Sequence, residues 1–162
     1  MDYIHQACAG AVLVALTLFI QSAGLAALIH WVRVSLVRGR YGPDLFRSGV
    51  LMMRFTGLII TLHLLTVLVW AGFYRWNFFP AWESAFYFSA ASYSTVGSGD
   101  LLLPRIWRTL GPVESVTGVL MCGLSAALLF AIVTRLIERN DRFEAELHSS
   151  TLEREPAGRR GR

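Results

Sequence analysis

Three long stretches of this chain carry no charged residue: 6–32, 55–74 and 115–133. A helix needs roughly 20 residues to cross a hydrocarbon core of ~30 Å, so each stretch is long enough to span a bilayer. A helix on the surface of a soluble protein keeps a polar face, and these keep almost none. The pattern predicts three membrane-spanning helices, at about 7–32, 49–73 and 112–136. Between the second and third lies a shorter apolar segment, 80–93, too short to span as a helix. Pro80 stands near its start and Glu83 falls in its first turn, where a preset φ and the helix dipole favour them. The segment therefore reads as a half-helix that enters the membrane and turns back. A glycine-containing loop follows it. Non-helical backbone is tolerated at membrane depth only where it is buried in protein or lines a polar cavity.

Polar residues inside the spans refine the picture. Thr17 and Gln21 in the first span are expected to hydrogen-bond to a neighbouring helix. Its small residues, Ala11, Ala15, Ser22, Ala23, Gly24, Ala26 and Ala27, suit close helix approach in lipid. His30 and Trp31 suit an interface. In the second span, Arg54 can snorkel to one membrane surface, and Trp70, Phe73, Tyr74 and Trp76 read as an aromatic belt at the other. His63 is ionisable and mid-span; it reads either as a pH sensor or as a neutral histidine bonded between helices. Pro112 and Glu114 suit the opening of the third helix. Leu136, Asn140, Phe143 and Leu147 continue a heptad-like spacing beyond that span, too short for a coiled coil. The polar end, 156–162, has a disordered composition.

Composition agrees with a membrane protein: 54% of residues are hydrophobic, and mean hydropathy is +0.49. All 15 basic residues are arginine. A pI near 9.6 is compatible with nucleic-acid binding, but the arginines argue against it by position. Arg33, Arg38, Arg40, Arg47 and Arg54 flank the first two spans, and Arg135, Arg139 and Arg142 follow the third. Such clusters mark cytoplasmic loops. The expected topology is N-terminus outside, 33–48 inside with Gly39, Gly42 and Pro43 as turn residues, 75–111 outside and the tail inside. The first span has no basic n-region and too long an apolar stretch for a signal peptide. Cys8 and Cys122 lack metal spacing and read as small packing residues.

The loop after the half-helix carries the candidate chemistry. It reads Ser94-Thr95-Val96-Gly97-Ser98-Gly99-Asp100. Removing water from a cation is costly unless other oxygens replace it, and backbone carbonyls do so without adding net charge. Aligned carbonyls require backbone of alternating hand. Gly97 and Gly99 can adopt positive φ without penalty. Val96 is expected to stiffen the strand and pack backward. Thr95 adds a hydroxyl. No nucleophile–base pair or metal-ligand cluster accompanies the spans, which argues against an enzyme.

With these residues in view, 49–137 resembles the pore domain of potassium channels: outer helix, pore helix led by Ala85-Phe86-Tyr87-Phe88-Ser89, a TVGxGD filter at 95–100, and inner helix. The resemblance implies an all-α membrane protein with three transmembrane helices, a re-entrant pore half-helix and a selectivity-filter loop. It implies a homotetramer in a cell (inner) membrane that conducts K+ passively. Carbonyls of Thr95, Val96, Gly97 and Ser98 would coordinate the ions, with Gly99 and Asp100 completing the filter. Lipid, monovalent cations and other copies of the chain are the implied partners, with no cofactor and no nucleic acid. Gly123 is the implied gating hinge, and Gly118 the second candidate; close helix packing is the other reading of either glycine. Residues 1–48 form an added helix and loop, without the spaced arginines of a voltage sensor. Residues 138–162 form a cytoplasmic tail.

Two positions depart from the family pattern. Ser98 replaces an aromatic ring that braces the filter against the pore helix, so a weakly selective Na+/K+ channel stays open as a reading. Ala91 stands where some members place a glutamate that pairs with the filter aspartate, so Asp100 is expected to turn to Tyr87 or Trp82. A non-conducting membrane scaffold is the remaining alternative.

Overall fold

The fold is given by a computed structural model that describes residues 2–37 and 45–154. The chain is all-helical over these residues, and three of its helices are long and apolar enough to cross a membrane. Helix α1 is Asp2–Val37 and α2 is Leu45–Asn77. The short α3 is Trp82–Tyr93, and α4 is Leu110–Arg154. Each long helix exceeds its predicted span at both ends, because helix continues past the apolar stretch into polar flanks. The expected turn residues Gly39, Gly42 and Pro43, and the segment 156–162, lie outside the described residues.

At the end of α2, side chains of its last turn bond one carbonyl within the helix and one just beyond it. Asn77 Nδ2 donates to the Phe73 carbonyl at 2.7 Å, and Arg75 Nη1 to that of Phe79 at 3.3 Å. The chain then doubles back into α3, with Ala81 as an extended N-cap residue and Glu83 in the first turn. Helix α3 packs chiefly on α2 and then on α4. The return segment 101–109 makes one 3-10 turn at Arg105–Trp107. Leu103 is buried in the core there. Helix α4 begins two residues before Pro112, which a first helical turn tolerates.

The core lies where α2, α3 and the start of α4 meet. Trp70, Tyr74, Phe79, Ala85, Phe88, Leu103 and Leu110 form it, and α1 contributes Leu13. Trp70 and Tyr74 are fully buried, so they are core residues and not members of an interfacial belt; Trp76 alone of that group is largely exposed. A smaller cluster, Leu28, Phe55, Ile59 and Ile132, joins α1, α2 and α4 further along.

Helix α1 is held by a single stripe: Gln6, Leu13, Thr17, Gln21, Leu25 and Leu28 are all buried. Its polar members bond across helices as expected. Gln6 donates to the Thr109 hydroxyl, Trp70 Nε1 donates to Thr17 Oγ1 at 2.9 Å, and Gln21 Nε2 donates to Ser125 Oγ at 3.1 Å. The small residues behave differently. Gly24 makes the close approach, since a Cβ there would lie 2.4 Å from Leu62 Cδ2. Ala11, Ala15, Ser22, Ala23, Ala26 and Ala27 are exposed instead. Cys8 and Cys122 are also exposed and free, not packing residues.

Gly118 sits against the backbone of α3. A Cβ there would lie 2.2 Å from the Tyr93 carbonyl oxygen, whereas one at Gly123 meets nothing within 4 Å. Backbone cannot move aside as a side chain can. Gly118→Ala is expected to destabilise the fold by about 1–3 kcal/mol, the usual cost of overpacking. Gly123→Ala should stay close to wild type. Thermal unfolding in detergent measures the difference.

Candidate functional site

The end of α3 sets the geometry of the loop that follows. The last helical carbonyls lack intrahelical partners, and the chain satisfies them by curling back. Ser94 N–H and Oγ both donate to the Ala90 carbonyl, at 3.0 and 2.7 Å. Thr95 N–H donates to the Ser92 carbonyl and Gly97 N–H to the Ala91 carbonyl, each at 3.0 Å. This left-handed wrap places Thr95 at φ +64° and Gly97 at φ +79°. Helices often end on a left-handed residue, though a β-branched one at positive φ is uncommon. Positive φ was expected at Gly97 and Gly99. It occurs at Thr95 and Gly97, because capping the helix requires the left-handed residue two positions earlier.

The segment is open in the single chain. Thr95, Val96, Gly97, Gly99 and Asp100 are exposed. Val96 is 80% exposed and does not pack backward. Among the described residues, none donates a hydrogen bond to the carbonyl of Thr95, Val96, Gly97 or Ser98. These four acceptors remain available. Ser98 Oγ donates to the Leu101 carbonyl at 3.0 Å, tying the loop to itself instead of to α3. A cleft of about 570 Å³ lies beside it, lined by Phe88, Ser92, Leu101, Arg108 and Ser115 among others. Ala90 and Ala91 do not line that space. Asp100 is exposed and bonds to neither Tyr87 nor Trp82; Tyr87 and Trp82 are themselves exposed.

Behind the loop, three helices share polar contacts. Glu114 is fully buried rather than solvated at a helix opening. Tyr74 Oη donates to its Oε2 at 2.8 Å, and Ser89 Oγ lies 2.5 Å from its Oε1. Ser115 Oγ donates to the Ser92 carbonyl at 2.6 Å, so α4 also grips the last turn of α3. Deeper along α2, His63 Nδ1 lies 2.7 Å from Tyr93 Oη and its Nε2 3.1 Å from Ser125 Oγ. The geometry is that of a histidine bonded between helices. Tyr74, Ser89 and Glu114 were not singled out together from the sequence. The available signal was a carboxylate at the edge of a charge-free run, where a charge is expensive.

Among the described residues, no three His, Cys, Asp or Glu side chains cluster to hold a metal ion. What the site offers is a short run of uncommitted carbonyls, suited to a weakly held monovalent cation.

Residues 62–135 match a family model described as "Ion channel". The matched stretch takes in the second half of α2, α3, the loop and α4 as far as the end of its apolar run. It supports an ion-channel pore domain in this part of a multi-pass membrane protein; α1 lies outside it. No curated protein and no solved structure matches the chain.

A Cβ at Gly97 meets no atom within 4 Å, but φ there is +79°. The cost of Gly97→Ala is therefore conformational, roughly 1–2 kcal/mol for a left-handed L-residue. The variant is expected to elute like wild type by size-exclusion chromatography and to carry less ion current than wild type in planar bilayers.

Proposed function

We propose that the chain is one subunit of a homotetrameric channel that conducts K+ passively through a filter at residues 95–100. The observation that carries this reading is the loop itself. A half-helix delivers a non-helical segment whose four consecutive carbonyls accept no hydrogen bond from the described residues. In lipid such groups need partners, and dehydrated cations provide them. A single loop cannot enclose an ion, so four copies around one axis complete the cage. The carbonyls of Thr95, Val96, Gly97 and Ser98 and the Thr95 hydroxyl are the proposed ligands, with Gly99 and Asp100 at the outer mouth.

In this reading 49–137 is the pore domain, 1–48 an added helix and loop, and 138–162 a cytoplasmic tail. The arginine distribution supports an N-terminus outside and a C-terminus inside a cell membrane. Gly123 is the proposed hinge, since no packing contact claims the space at its α-carbon. Gly118 is occupied by its contact with Tyr93.

A weakly selective cation pore is the second reading, and Ser98 favours it. Its hydroxyl ties the loop to Leu101, so the strand is not anchored to α3 through this side chain. Selectivity needs the carbonyls held in place, whether cavity size or ligand field sets the preference. A reversal potential in planar bilayers, with potassium on one side and sodium on the other, separates the two readings. Crosslinking that ends at four subunits checks the assembly.

The cleft beside Ser98 gives room for a ring. Ser98→Tyr is expected to raise the potassium-to-sodium permeability ratio above wild type. A normally conducting variant with an unchanged ratio would mean that other contacts already hold the strand.

A further inference from the structure

Glu114 presents a problem of hydrogen counting. Tyr74, Ser89 and Glu114 come from α2, α3 and α4, and each is fully buried. Tyr74 spends its one hydroxyl hydrogen on Glu114 Oε2. Ser89 also has one, yet its Oγ lies 2.5 Å from Glu114 Oε1 and 2.9 Å from the Val67 carbonyl. A carbonyl and a carboxylate only accept. If Glu114 is ionised, one of these two contacts has no hydrogen in it. If Glu114 carries a proton, all three are filled: Glu114 donates to Ser89, Ser89 to the Val67 carbonyl, and Tyr74 to Glu114. Among the described residues no cation pairs with Glu114, and an unpaired buried carboxylate is strongly disfavoured.

We propose that Glu114 is a neutral carboxylic acid acting as a positioning residue: its proton joins α4 to α3 and, through Ser89 and the Val67 carbonyl, to α2, fixing the half-helix that presents the filter. Ser89 lies one and a half turns before Ser94, where the filter loop begins. A rotation or axial slip of α3 at Ser89 is passed to Thr95 through the capping bonds at Ala90, Ala91 and Ser92. The acid substitutes for the anchoring that Ser98 does not give. This inference rests on the channel reading for its effect on conduction, but not for the protonation state itself.

The test uses the full-length protein in lipid. Infrared difference spectra between wild type and Glu114→Gln should show a protonated-carboxyl band that the variant lacks. Absence of that band overturns the proposal whether or not the protein conducts. If the band is present but the wild type passes no current, the channel reading fails instead and the protonation assignment stands.

In bilayers, Glu114→Gln should keep the wild-type permeability ratio, because its amide N–H donates to Ser89 and its carbonyl accepts from Tyr74. Ser89→Ala, which keeps the helix and removes the link, should lower the ratio on the order of fivefold, one net hydrogen bond's worth. A ratio unchanged in Ser89→Ala, or lowered as far in Glu114→Gln, overturns the positioning role.

Discussion

A bilayer core supplies no hydrogen-bond partners, so a chain that crosses it must pair each polar group with another of its own. The packing of this protein follows from that constraint. Helix α1 carries no charge between residues 6 and 32, and its buried face there is the one that carries Gln6, Thr17 and Gln21. Each reaches a different polar group on α2, α4 or the segment before α4. His63 and Ser125 meet in the interior for the same reason. Apolar contacts fill the volume, but the polar pairs select the rotation of each helix, because lipid is as good a solvent for leucine as the core is.

The loop after α3 treats its backbone in two ways. Its carbonyls from Thr95 to Ser98 accept no hydrogen bond from the described residues, although α3 commits three of its last carbonyls to capping bonds. The helix end is closed and the strand beyond it is left open. That division keeps the half-helix intact at the point where the chain must stop being helical.

The spans and the half-helix were legible because hydropathy and segment length are properties of composition, and lipid enforces them. The non-helical loop after α3 was legible because Gly97 and Gly99 follow the short apolar segment directly, and glycine breaks helical backbone. Less local features were not. Trp70 and Tyr74 suit a membrane interface and a core equally well, and only the arrival of α3 against α2 decides between them. Alanines in α1 gave no face, since an alanine is compatible with lipid or protein contact. The Glu114 contacts join positions 25 and 40 residues apart, and nothing in local spacing brings them together. Gly99 was misread because the strand was considered alone, whereas the preceding helix end determines where the backbone changes hand.

The seat of Gly118 on the Tyr93 carbonyl makes the first part of α4 and the half-helix a single body. Contacts at Ser125 and Ile132 hold α4 further along, so the arm beyond these contacts runs from Ile132 to Arg154, about 33 Å at the usual rise per residue. Swinging that arm by one degree displaces its tip by about 0.6 Å, while atoms beside Gly118 hardly move. Excursions of the far end are therefore compatible with an almost stationary loop after α3. The same leverage runs in reverse: whatever holds the tip resists rotation at Ile132 with a long mechanical advantage.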